Sequence, residues 1–99
     1  GLDIAVDFGT PIYATAAGTI EQAGWNGGYG RYVRINHGNG YETAYGHMSG
    51  IAVAAGQKVI KGEIIGFVGS TGYSTGSHIH YEVLADGQNI DPFYVLKNK

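Results

Sequence analysis

Ninety-nine residues make one domain with room for a single modest core. Hydrophobic residues are 43% of the chain and charged residues only 14%, which excludes a disordered, charge-rich segment. A net charge of −2 with no basic stripe excludes a nucleic-acid binder, and the absence of cysteine excludes disulfides and thiolate zinc sites.

The predicted elements are almost all strands. Leu2, Ile4 and Val6 alternate with Asp3, Ala5 and Asp7, the period-two pattern of a half-buried strand. Gly9-Thr10-Pro11 is a turn, followed by strands over residues 12–15 and 18–25. Residues 24–30 carry too many glycines for regular structure and are expected to form an exposed loop. A strand over 31–36 and its return over 41–46 flank His37-Gly38-Asn39-Gly40, read as a hairpin turn in which Asn-Gly supplies positive φ. Short strands over 51–53, 58–60 and 64–68 are separated by turns at Gly56 and Gly62. Residues 69–77 form a second polar loop, 78–84 a clear strand, Asp86-Gly87 a turn, and 90–96 a tail with one helical turn after Pro92. Such closely spaced turns and no helical period predict an all-β fold. It would be a small antiparallel sheet or barrel-sandwich with long glycine-rich loops around a groove. No apolar run approaches the roughly 18 residues of a membrane span. The chain opens on Gly1-Leu2-Asp3 in strand-like sequence with no initiator Met, and is read as a piece of a longer protein.

The sharpest local feature is Ser77-His78-Ile79-His80-Tyr81-Glu82-Val83. On a strand, His78 and His80 share one face, about 6–7 Å apart, while Ile79, Tyr81 and Val83 share the other and enter the core. Two imidazoles on one face suit a metal ligand beside a catalytic group. An isolated His-x-His is more often a pair of surface histidines, so the pair does not decide the matter alone. Asp3 on the first strand has the competing reading of a solvated strand-edge carboxylate, with Asp7 also available, His47 that of a turn residue, and His37 is best read as a turn residue.

Together these segments resemble the lysostaphin/LytM-type zinc endopeptidases over essentially the whole chain. Gly1-Leu2-Asp3-Ile4-Ala5 resembles the end of that family's His-x-x-x-Asp motif, Tyr45-Gly46-His47-Met48 its lone mid-chain histidine, and Gly76-Ser77-His78-Ile79-His80-Tyr81-Glu82-Val83 its His-x-His. Ser77 stands where the family often has proline. The resemblance implies Asp3 and His80 as zinc ligands, His78 as a catalytic histidine and His47 as its partner. It also implies a further ligand histidine two residues upstream of Gly1. The activity implied is hydrolysis of peptide bonds in bacterial peptidoglycan, secreted or otherwise outside the cytoplasm, with an upstream regulatory or wall-binding segment conceivable. Two histidines and one aspartate leave an open position on a tetrahedral zinc, as catalytic sites do. The glycine-rich loops would form groove walls, with Trp25, Tyr29 and Tyr73 packing on an extended peptide, although Trp25 could instead cap the core.

Two other readings compete. A degenerate, non-catalytic LytM-like module would bind or activate a cell-wall, division or sporulation partner without metal or hydrolysis. A lipoyl- or biotinyl-type carrier shares hairpins like the segment from Gly56 to Gly66. It needs a modifiable lysine at a hairpin tip, and neither Lys58 nor Lys61 sits in such a setting.

Overall fold

The alternation seen in the sequence is realised as nine strands among the described residues. In chain order they are β1 (Leu2–Ala5), β2 (Pro11–Tyr13), β3 (Gly18–Trp25), β4 (Arg31–Gly38), β5 (Tyr41–Ile51), β6 (Lys58–Val59), β7 (Ile64–Val68), β8 (His78–Ala85) and β9 (Gln88–Ile90). The computed structural model describes residues 2–5, 7–70, 78–86 and 88–90. Residues 71–77 of the second predicted loop, and the tail beyond Ile90, lie outside the described residues. Strands run antiparallel in one sheet, in the order β1-β8-β5-β4-β3-β6, with β2 joined through β7 to β5 and β9 joined to β8. This is the all-β antiparallel architecture that the spacing of turns predicts. Among the described residues no helix is long and apolar enough to cross a membrane.

The core gathers one face of several strands: Ile12, Ile20, Val33, Ile35, Tyr45, Met48, Val59, Ile65 and Val68. Fully burying such side chains stabilises by about 1.5–3 kcal/mol each before chain entropy is counted. β5 runs through the middle, and its residues 43–48 are all buried. It is longer than the alternation over 41–46 predicts, because it continues past Gly46 and absorbs part of the strand expected over 51–53.

The β4–β5 hairpin turns on Asn39 and Gly40, with φ of 54° and 81°, the backbone that the Asn-Gly pair predicts. His37 departs from its reading as a turn residue. It is a β4 residue, the extra one in a bulge where Asn36 pairs with Glu42 and Gly38 with Tyr41. Its Nδ1 lies 2.8 Å from the Ala17 carbonyl and its Nε2 2.6 Å from the Thr43 hydroxyl. A carbonyl only accepts, so Nδ1 carries a proton and donates to Ala17, while Nε2 shares a bond with the Thr43 hydroxyl. Thr43 in turn meets the buried Tyr45 phenol at 2.9 Å, and Tyr45 reaches the Thr15 hydroxyl at 3.1 Å. Burial pushes the Tyr45 phenol above its ordinary value, partly offset by its bonds to Thr15 and Thr43. The chain of bonds satisfies polar groups that would otherwise be costly inside a core.

Close backbone packing explains part of the glycine content. A Cβ on Gly69 would fall against the backbone of Ser49, and one on Gly18 against the Asn36 carbonyl and Ile35. Gly69→Ala is therefore expected to destabilise by about 1–3 kcal/mol, as overpacking does. An unchanged urea midpoint would show that β5 and the end of β7 can separate without loss.

Candidate active site

β8 carries the His-x-His segment between two neighbours. On one side its partner is β1, with Asp3 opposite His80 and Ala5 opposite His78. On the other its partner is β5, with Gly46 opposite His80 and Tyr45 opposite Tyr81. Asp3, His80 and Gly46 thus form one row across three strands. Opposed Cα atoms in antiparallel pairs are about 4.5–5.5 Å apart, so the backbones of Asp3 and His80 are close.

His47 joins this row through an irregularity that alternation does not predict. Strict alternation would send His47 inward with Tyr45 and Met48 outward. Instead Arg31 pairs with Met48 and Val33 with Tyr45, so Gly46 and His47 together oppose Tyr32 in a β-bulge. His47 takes the left-handed conformation, φ 59°. Met48 returns to the core and the His47 imidazole comes to the site, its centroid 5.9 Å from that of His80. The bulge lies where β5 changes partners: Gly46 is its last residue paired with β8 and Met48 its first paired with β7. A cavity of about 230 Å³ lies here, lined by Gly28, Tyr29, His47 and His80.

Two further side chains belong to this cluster. Glu82 is buried, and its Oε2 lies 2.9 Å from His80 Nε2. The same oxygen accepts the Tyr29 hydroxyl at 3.0 Å. Tyr29 ends the short 3-10 turn Gly27–Tyr29, and its ring lies 5.5 Å from that of His80. The bond to Glu82, helped by partial burial, holds the Tyr29 phenol above its ordinary value, so it remains a donor at neutral pH. Sequence reasoning named Tyr29 for substrate contact and gave Glu82 no role. The signal for Glu82 was available, since it shares the alternating face of His78 and His80.

Trp25 is 62% exposed at the end of β3, which excludes the core-capping alternative. Asp7 is exposed, and its carbonyl accepts from the Thr10 hydroxyl in the first turn. Tyr73 lies outside the described residues. Among the described residues no three His, Cys, Asp or Glu side chains group to hold a metal ion. The donor chemistry nevertheless fits zinc: an imidazole at His80 with an aspartate in register opposite it, and no thiol in the chain.

Residues 1–92 match the model of peptidase family M23. The chain belongs to that family. Curated members resemble it closely. The DD-carboxypeptidase/endopeptidase Mpg of Neisseria meningitidis serogroup B is 52% identical over 95 residues, covering 96% of this chain and 22% of that protein. The peptidoglycan DD-endopeptidase ShyA of Vibrio cholerae is 43% identical over 91 residues, covering 92% of this chain and 21% of that protein. The M23 domain described here therefore spans about a fifth of the length of these relatives. Among solved structures, the antimicrobial peptidase lysostaphin from Staphylococcus simulans superposes with a TM-score of 0.93 at 36% identity, over 99% of this chain and 43% of that one.

Proposed function

We propose that this M23 domain is a zinc-dependent endopeptidase that hydrolyses the peptide part of peptidoglycan outside the cytoplasm. The observation that carries the reading is the row Asp3–His80–Gly46, with the His47 imidazole brought to the same place by a strained bulge. Backbone strain at a non-glycine residue persists where surrounding structure enforces it, and such residues cluster at functional sites. In this reading Asp3 and His80 hold zinc.

When bound, zinc polarises a carbonyl and makes water acidic enough to deprotonate near neutral pH. The chain's own groups do the rest. His47, buried at the cavity wall, and His78 orient the attacking water, take up its proton and donate to the developing oxyanion. In this reading exposed Trp25 and the Tyr29 ring contact an extended peptide, as does Tyr73, which lies outside the described residues. The names of Mpg and ShyA favour a stem-peptide bond of the DD type over a glycyl-glycine bond.

The test is digestion of purified cross-linked muropeptide dimers, with pentaglycine as the competing substrate, by the protein with its natural upstream sequence. Dimers should be split to monomers, a zinc chelator should stop the reaction, and added zinc should restore it. Cleavage of neither substrate by zinc-supplemented protein would favour the non-catalytic module.

A further inference from the structure

The Glu82 carboxylate is buried on the site side of β8, and one oxygen accepts two donors from different parts of the chain. His80 Nε2 is 2.9 Å away and the Tyr29 hydroxyl 3.0 Å away. Glu82 is buried and His80 only partly so, so this contact is shielded from water better than a surface pair. A carboxylate only accepts, so Nε2 of His80 carries a proton and Nδ1 is the ring nitrogen left to ligate a metal. Histidines that ligate metals are held in one tautomer and orientation by such an acceptor behind the ring. The Tyr29 hydroxyl donates to the same carboxylate oxygen, and its ring lies 5.5 Å from the ring it helps to fix.

We propose that Glu82 is a positioning residue that fixes the tautomer and orientation of His80 for the metal, with Tyr29 as the clamp that holds Glu82. The turn Gly27–Tyr29, one wall of the cavity, is thereby tied to the ligand strand. The inference rests on His80 being a metal ligand, as proposed above.

The test measures zinc affinity by competition with a chelating indicator, and separately the melting temperature of the metal-free protein, using the protein with its natural upstream sequence. Glu82→Met keeps the volume and removes the acceptor; it is expected to weaken zinc binding by about 10–100-fold, the usual loss for a partner behind a ligand. Glu82→Gln retains an acceptor for Nε2–H and should recover a large part of that loss. Tyr29→Phe removes only the hydroxyl and should weaken zinc about threefold to tenfold, a share of the same effect. Zinc affinity within twofold of the parent in Glu82→Met, with or without a lower melting temperature, would overturn the proposal and leave Glu82 a structural residue. Should Glu82→Met fail to fold, Tyr29→Phe decides in its place, and an unchanged affinity there overturns the proposal. His80→Ala separates the two levels. If the parent binds zinc and His80→Ala binds it equally well, the ligand assignment fails. If His80→Ala loses zinc while Glu82→Met keeps it, only the role of Glu82 fails.

Discussion

Alanine at Asp3 or at His80 is expected to empty the metal site and abolish hydrolysis. Both residues sit in one register row, on an edge strand and on its neighbour, and His80 is only partly buried and outside the hydrophobic core. Their loss should therefore leave a folded domain. Each removes one of few protein ligands, so zinc content measured by elemental analysis should fall from one per chain toward none. Lewis-acid stabilisation by a catalytic metal is worth several kcal/mol, so activity should fall by about a thousandfold or more. Full zinc occupancy in Asp3→Ala would remove the carboxylate from the ligand set and the proposed mechanism with it.

Changes at His47 should separate chemistry from stability. His47→Ala is expected to retain zinc and lose about 10²–10⁴ in kcat, the range for a missing acid–base group. The left-handed backbone at this position, φ 59°, costs an L-residue about 1–2 kcal/mol relative to glycine. His47→Gly should therefore be inactive yet more stable than His47→Ala by roughly 1 kcal/mol. Urea unfolding of the two variants checks this. Equal stabilities would mean that the bulge relaxes once the imidazole is gone, and loss of zinc in either variant would make His47 a ligand instead of a proton carrier.

Much of this could be read from the chain. Alternation placed β3 and β7 with the bounds observed, and the Asn39-Gly40 pair named its own turn. Alternation also put Tyr81 and Val83 against the core, where Val83 is buried and Tyr81 packs on its margin. His37 was misplaced because a bulge adds a residue without any change in composition, and its two ring bonds reach Ala17 and Thr43, one of them distant in sequence. Glu82 was passed over because a glutamate on a strand is ordinarily solvated. Its hydrogen-bond partner Tyr29 lies far away in the chain.

Local sequence determined the strands, the main hairpin, the two-histidine face of β8 and the motifs that carry the family likeness, since each depends on neighbours within a few positions. Only the tertiary structure decided that Asp3 lies opposite His80, that β5 changes partners between β8 and β7, and that the bulge at that exchange turns His47 toward the site. Register between strands distant in the chain is chosen by the packing of a whole sheet. A one-residue slip sends every following side chain to the other face, and no window of sequence records which slip the core selects.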